Sequence, residues 1–389
     1  MSERTSRVIF DGEKARIKLL KFDTCEAVRI GAAAALHFKG KIGVMADDRS
    51  LAGAKSAVLS GIIKADSQAL DYGMGFGALL SYCIRKNNLD GGIMLNLRDG
   101  TCGIYFYDRY GLKVSFESYN ELKKLHGMLP DGVLAAHIPD ENASRCDISD
   151  YAKEVAVPDL SGMSLHFECG NIYVSACAKE IFEKCGVKLL QQQTPEHITL
   201  CSDREGHFLW GKDEKSCPVT KNEMSALLIK TASENGTDKI AYSYLCPTFC
   251  DSLCEIYGIE YSKVYDFADK DDSFARKCVA DNAVCFDALL AAVQICGYLK
   301  ENNIRLAKAK ENIPCGVTKV QNIWIPSSRK DYVIRRLSGR IGSAARVRVL
   351  PCVTGGLRLM VEAYDEESAD ELCYFYKNEI YRLAENADE

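Results

Sequence analysis

The chain has no run of about 20 apolar residues, the length that crosses a bilayer. Its longest apolar stretches, Ile30–Phe38 and Ala288–Leu299, are too short, so no membrane partner is expected. A basic excess is missing too. Lys+Arg 49 against Asp+Glu 54 gives a net charge of −5, which leaves no electrostatic footprint for nucleic acid. The opening segment, MSERTSRVIFDGEKARIK, lacks the apolar core of a secretory leader, so a cytoplasmic location is expected. Low-complexity tracts and short-period repeats are absent. Among 18 cysteines there is no Cys-x-x-Cys pair, which argues against zinc ribbons and thioredoxin-type motifs and for reduced thiols.

What is present is globular. Hydrophobic residues make up 47% and charged residues 26% of 389. At ~100–200 residues per domain, that length suggests two or three domains. Cys246, Cys250 and Cys254 recur every four residues, which would set them on one helix face. They read either as a metal or redox cluster or, preferably, as small core residues beside Leu253 and Tyr257. His166-x-x-Cys169 and His197-x3-Cys201 have no second ligand pair nearby and read as structural.

Strand and helix patterns alternate. Lys41–Ala46, Gln68–Tyr72, Gly91–Leu97 and Gly103–Tyr107 read as strands, with helices at Leu51–Ile63 and Ala78–Asn87 and a turn at Arg98–Gly100. The pattern restarts with strand Ser164–Cys169, helix Ser175–Cys185 and strand Val187–Gln191, then a hairpin of Ile198–Ser202 and Phe208–Trp210 turning at Asp203–Gly206. It restarts again with strand Lys239–Ser243, helix Pro247–Tyr257, strand Tyr261–Tyr265 and helix Phe286–Lys300. Such spacing implies βαβ units and a mostly parallel sheet. The last stretch differs, with strands Ala345–Leu350 and Leu357–Ala363 followed by helix Glu366–Ala384. Polar stretches divide the chain into residues 1–140, 141–232, 233–320 and 321–389.

This order, and the motifs set in it, resemble the alpha-D-phosphohexomutase family, which includes phosphomannomutase, phosphoglucomutase and phosphoglucosamine mutase. ADDRS at Ala46–Ser50 is similar to the family's GRDTRxS. LDYGMGFGALLSYCIRKNNLDGGIML is similar to its second strand, loop and helix ending in DGGIMI. GIYFYDRYG resembles GIKFYDxxG. DALLAAVQICGYL resembles the third domain's DGLLAALxLLE, and PCVTGGLRLMVEAYDEESADEL resembles PSGTEPxxRVxVEAxSxExAxEL. The resemblance covers nearly the whole chain. It implies three related α/β/α mixed-sheet domains and a small C-terminal α+β domain around a central cleft.

The departures fall on the loops that carry the family's chemistry, a phosphoryl transfer on a hexose phosphate. In GGIMLNLRDGTCGIYFY, Arg98 stands where the family's phosphoserine belongs, followed by Asp99 and Gly100 in a shortened loop. Arginine has no nucleophilic oxygen, and the nearest hydroxyl, Thr101, is off register. Aligned on the following strand pair, Gln192–His197 replaces the magnesium-binding DGDxDR. Another register places Asp203–Arg204 on its last two residues. Neither supplies three carboxylates, so no metal cofactor is expected. The stretch between Cys185 and Ile198 is short, implying a lost helix and strand. FDGEKAR keeps Phe10 and Arg16 of FGTxGIRG, the sugar-reading GExSG reads VADNAVCF, and the phosphate loop has become Leu350–Gly356, keeping Thr354 and Arg358.

A framework retained while its ligand loops change reads as a non-catalytic relative, a sugar-phosphate binder or a regulator that partners an active mutase or another protein. Arg16, Arg49, Arg98, Thr354 and Arg358 are the candidate phosphate contacts. The alternative is an active mutase with displaced catalytic parts, using Thr101. A third reading takes Gly73–Ala78, which fits G-x-G-x-x-A between a strand and a helix, as a nucleotide-binding turn. The C-terminal region also carries a basic segment, from Arg329 to Arg358, followed by an acidic one. It reads either as a solvated surface or as an anion site.

Overall fold

Short apolar strands, several buried on both faces, alternate with helices, some of them capped by Asp, Asn, Ser or Thr. The computed structural model describes residues 8–10, 14–18, 23–130, 148–264, 272–311, 313, 316–338, 341, 346–351 and 356–386. The chain divides into two compact units. One comprises Met1–Ser243 and Leu253–Asn312, the other Tyr244–Ser252 and Ile313–Glu389.

The first unit begins with β1 (Ile9–Phe10), β2 (Ala15–Lys18), α1 (Thr24–Phe38), β3 (Lys41–Ala46), α2 (Ala52–Lys64), β4 (Gln68–Met74), α3 (Gly77–Lys86), β5 (Gly91–Arg98), β6 (Thr101–Asp108) and α4 (Phe116–Met128). Their sheet runs β1-β2-β6-β5-β3-β4. Only β3 pairs in parallel, with β4 and β5; the other neighbours are antiparallel. The expectation of a mostly parallel sheet is therefore corrected to a mixed one. The two-residue link between β5 and β6 is far too short for a parallel crossover. Ala15, Ile17, Val44, Leu95 and Ile104 point into one core with α1 and α2. Lys14, Arg16, Asn96 and Arg98, at alternate positions, belong to the opposite face.

Helix α1 was visible in the sequence only as an apolar run. Asp23 caps it by accepting from the Cys25 amide at 2.8 Å. It crosses α2 through two glycines. A Cβ on Gly31 would fall far inside contact with the Val58 carbonyl oxygen, and one on Gly61 inside contact with that of Val28. The two backbones touch there, which any side chain prevents.

Helices α1 and α4 are joined by Arg29, which donates to Glu26 at 2.9 Å and to the His126 carbonyl at 2.8 Å. His126 Nε2 lies 3.0 Å from Glu26 Oε2. Burial, helped by the Arg29 charge, lowers the His126 pKa to about 4. A free histidine titrates at about 6.5. The unfolded chain therefore binds this proton first as pH falls, and stability present above about pH 6.5 is lost towards pH 4. The loss is at most about 3 kcal/mol. Urea midpoints of the wild type and His126→Gln between pH 7 and 4 should show a shallower slope in the variant. Parallel slopes would remove His126 as the cause.

The second sheet follows α5 (Ile148–Val155). Its elements are β7 (Ser164–Cys169), α6 (Ile172–Lys184), β8 (Lys188–Leu189), β9 (Ile198–Ser202), β10 (Leu209–Lys212) and β11 (Pro218–Val219), ordered β11-β10-β9-β7-β8. The strand expected over Val187–Gln191 shrinks to two residues, because only Lys188 and Leu189 find partners on β7. Between Leu189 and Ile198 there is neither helix nor strand. Next come α7 (Lys221–Glu234), β12 (Lys239–Ser243), α8 (Thr248–Tyr257), β13 (Glu260–Val264), α9 (Ser273–Asp281), α10 (Ala288–Glu301) and α11 (Leu306–Glu311). Among the described residues the sheet here is the parallel pair β12-β13, smaller than the repeated pattern suggested. Cys246 precedes α8 and is not on its face, so only Cys250 and Cys254 share the helix. All three are buried, whereas Tyr257 is exposed. Every described cysteine is a free thiol.

The second unit holds β14 (Val317–Ile323), α12 (Lys330–Ser338), β15 (Val347–Pro351), β16 (Leu357–Ala363) and α13 (Glu366–Glu385). Its antiparallel sheet runs β14-β16-β15 and packs on both helices through Leu357, Leu359, Val361 and Ile380. Arg348 donates to Glu362 at 2.7 Å and to the carbonyls of Tyr244 and Cys246, both at 2.9 Å. Glu362 also accepts from the Thr248 amide and hydroxyl, at 2.8 and 2.7 Å. These bonds assign residues 244–252 to the C-terminal sheet. Among the described residues no helix is long and apolar enough to cross a membrane.

Candidate functional site

The C-terminal ends of β3 and β5 lie side by side, Ala46 paired with Leu95. Asp47 follows at once. Its amide donates to the Leu95 carbonyl at 3.0 Å, and its carboxylate accepts from the Leu97 amide at 2.7 Å and from Arg98 Nη1 at 2.9 Å. The Asp47 side chain is 2% exposed and that of Arg98 33%. Burial raises the Asp47 pKa, while the Leu97 amide, Arg98 and Arg204 oppose that rise. Arg98 Nη1 also donates to its neighbour's carbonyl, that of Leu97, at 2.6 Å. The guanidinium is thus held at the mouth of the strand with part of its surface open.

Arg98 and Thr101 form the last pair of the β5–β6 ladder. Asp99 and Gly100 join them with φ of +47° and +68°. Positive φ at both central residues is the mark of a type I′ hairpin, for which Asp-Gly is a favoured sequence. The two strands are thus joined by the tightest connection an antiparallel pair allows. The register corrects the placement of Thr101, which is a strand residue paired on one side with Arg98 and on the other with Lys18. Directly opposed residues point the same way, so Lys18, Thr101 and Arg98 form one row. Arg16, Gly103 and Asn96 form the next.

Arg49 is exposed in the turn Arg49–Leu51, capped by Asp48 through the Ser50 amide at 2.8 Å. The structure therefore gathers Arg98, Thr101 and Arg16 on one sheet face, with Arg49 two residues beyond Asp47. Arg358 belongs to the second unit, where its Nε donates to Asn322 at 3.0 Å across β16 and β14. Thr354 lies outside the described residues. Within the basic segment, Arg348 is committed to Glu362 and Arg346 stacks on Tyr364 at 3.8 Å. Both arginines are thus engaged within the second unit, Arg348 in a largely buried ion pair, which disfavours the anion-site reading for these two.

The sequence reading missed the β9–β10 turn as a neighbour of this face. Asn96 Nδ2 lies 3.4 Å from Glu205, and Lys113 pairs with the same carboxylate at 2.8 Å. Burial pushes the Glu205 pKa up, but Lys113, His207 and Arg98 together hold it below the ordinary value. His207 Nδ1 lies 3.0 Å from the Phe286 carbonyl, which only accepts, so Nε2 is left to accept from Tyr107 Oη at 3.2 Å. The signal was the polar turn Asp203–Gly206, legible as a hairpin but silent about what it would meet.

This turn also closes the nucleotide reading of Gly73–Ala78. The Ala78 amide, at the N-terminus of α3, donates to the Glu205 carbonyl at 2.9 Å. A Cβ on Gly77 would come within 2.7 Å of His207 Nε2 and of Tyr107 Oη. Pyrophosphate binding needs that helix end open. Here it is filled, and the glycine serves packing.

The family implies magnesium, and the residues at either candidate segment do not fit it. In Gln192–His197, Thr194 Oγ1 and His197 Nδ1 lie 3.1 Å apart and Gln193 accepts from Lys212 at 3.0 Å, leaving one carboxylate. In Asp203–Arg204, Asp203 is the single carboxylate, and its Oδ1 accepts from the amides of His207 and Phe208, at 2.8 and 2.7 Å. A magnesium ion takes oxygen ligands in near-octahedral array. Among the described residues no group of three or more His, Cys, Asp and Glu is placed to hold a metal.

No protein-family model matches the chain. Solved structures nevertheless share its fold. The structure superposes on a phosphoglucomutase/phosphomannomutase family protein of Burkholderia thailandensis with a TM-score of 0.73, at 13% identity, over 96% of this chain and 97% of that one. Paramecium parafusin, a phosphoglucomutase, gives 0.67 at 11%, over 98% and 97%. Aspergillus fumigatus N-acetylphosphoglucosamine mutase, in complex with GlcNAc-6P and magnesium, gives 0.57 at 9%, over 97% and 96%. The fold is that of the alpha-D-phosphohexomutases. In sequence the chain is 19% identical to phosphoglucosamine mutase of Clostridium botulinum, over 85% of its length and 87% of the relative's. It is 21% identical to that of Clostridium acetobutylicum, over 82% and 85%. Fold and sequence together support an alpha-D-phosphohexomutase-family member.

Proposed function

We propose that this chain is a phosphohexomutase relative that binds a hexose phosphate without transferring its phosphoryl group. The observation that carries the reading is the β5–β6 hairpin, where Arg98 sits on buried Asp47 and Thr101 is locked in register beside it. A guanidinium offers no oxygen to phosphorylate but binds phosphate bidentately. Asp47 already accepts from Arg98 and the Leu97 amide, so it is poorly placed to take a proton from Thr101. Phosphoryl transfer depends on positioning and charge stabilisation around a nucleophile and a metal. The fit of neither is favoured here. The GlcNAc-6P bound by the Aspergillus mutase supports the ligand class.

Two measurements test this. In calorimetry with glucose and glucosamine 1- and 6-phosphates, Arg98→Ala should weaken binding at least tenfold, about 1.4 kcal/mol. Arg98→Lys should recover part of that, since a point charge replaces a fork. Unaltered binding in both variants would exclude Arg98. A coupled mutase assay with magnesium and a bisphosphate activator should show no turnover above buffer. Turnover that disappears in Thr101→Ala would replace this reading with an active mutase using the displaced hydroxyl.

A further inference from the structure

Helix α13 carries an exposed face that the sugar-phosphate reading leaves unused. Its buried side, with Ala369, Cys373 and Ile380, packs within the second unit. On the other side Glu367, Glu371, Tyr374, Asn378, Tyr381 and Glu385 are all exposed. From Glu367 they recur at steps of four, three, four, three and four. That is the spacing of a helix–helix seam. Tyr374 is 71% and Tyr381 40% exposed, and Phe375 beside them is 61% exposed. The two tyrosines stand about 10 Å apart along the axis. Aromatic side chains are enriched in interfaces, and three of them on one solvated helix exceed scattered exposure.

Charge decides what fits. Lys319 pairs with Glu366 and Asp370, at 2.7 and 2.5 Å, and Arg382 pairs with Glu379 at 2.7 Å. Those partners lie at the edges of the exposed arc. Its centre keeps Glu367, Glu371 and Glu385 around the tyrosines. An acidic, aromatic seam suits cations, which pair with the carboxylates and sit over the ring faces. We propose that this face docks a cationic amphipathic helix of a partner protein, with lysines or arginines opposite the three glutamates and aliphatic side chains against Tyr374 and Tyr381. The seam is about 27 Å long, so the docked helix would span about five turns.

The test uses the full chain and a labelled lysine–leucine amphipathic helix of about 18 residues, matched to the seam, followed by fluorescence anisotropy. Binding is expected at a Kd on the order of 10–100 µM, weakening at least fivefold between about 0.05 and 0.5 M salt. Tyr374→Ser/Tyr381→Ser should weaken it at least tenfold while a cooperative unfolding transition is retained, since Tyr374 is 71% and Tyr381 40% exposed. Glu367→Gln/Glu371→Gln/Glu385→Gln should remove most of the salt dependence. Equal binding by the tyrosine double variant, or equal binding of a glutamate–leucine helix, would overturn the proposal. So would self-association abolished by the same double variant, which would assign the face to a second copy of this chain.

Discussion

Gly61→Ala should lower the stability of the first unit by about 3 kcal/mol, although the same change on an open helix gains about 1 kcal/mol. The reason is where α1 and α2 cross. A Cβ on residue 61 would push into the Val28 carbonyl oxygen, and the reciprocal glycine, Gly31, meets Val58 in the same way. Backbone cannot rotate aside as a side chain can, so the helices must separate. Separation strips contact from the buried alanines of α1 and from Val58 and Ile62 on α2. Gly61→Leu should leave no cooperative transition for this unit. Urea titration followed by circular dichroism reads both, and a midpoint for Gly61→Ala at or above wild type would refute the close crossing.

Loss of Glu362 should be the largest change in the second unit, about 3–5 kcal/mol. Glu362→Ala strips the counter-charge from Arg348, whose side chain is only 15% exposed. It also removes the acceptor for Thr248 at the start of α8, a cap worth about 1 kcal/mol. Glu362→Gln keeps the shape and one acceptor but no charge, so it should fall between. Amide exchange distinguishes this from a general loss of stability. Residues 244–252 should exchange faster than β16 in Glu362→Gln. Equal protection of both would show that the segment is held by something other than this ion pair.

Strands were legible as short apolar runs, several of them buried on both faces. Lys41–Ala46, Ser164–Cys169, Ile198–Ser202 and Leu357–Ala363 occur where their apolar patterns placed them. Amphipathicity was not what made a helix legible: α10, buried almost all round, was read from its length, whereas α5 and α12, each with one buried side, were not. Helix α1 is buried continuously from Ala27 to Ala35, and the sequence showed it only as an apolar run. Helix α7 carries its signal at its start, where Thr220 and Glu223 form a capping box rather than a periodic stripe. The candidate site divides in the same way. The Asp-Gly turn and the charge of Arg98 are local facts. That Asp47 would hold the guanidinium, and that Glu205 would sit over Asn96, are contacts between residues 51 and 109 apart in sequence.

By itself the sequence indicated an α/β chain whose order and motifs resemble those of the phosphohexomutases, with Arg98 in an Asp-Gly turn after an apolar strand. Residue chemistry and local periodicity suffice for that. Only the tertiary structure decided that Arg98 ends a two-residue hairpin seated on a buried carboxylate, that the glycine-rich turn is plugged by Glu205, and that residues 244–252 belong with the C-terminal sheet. Each of these depends on which distant strand or turn arrives beside a residue. Packing sets that, and no short stretch of sequence records it.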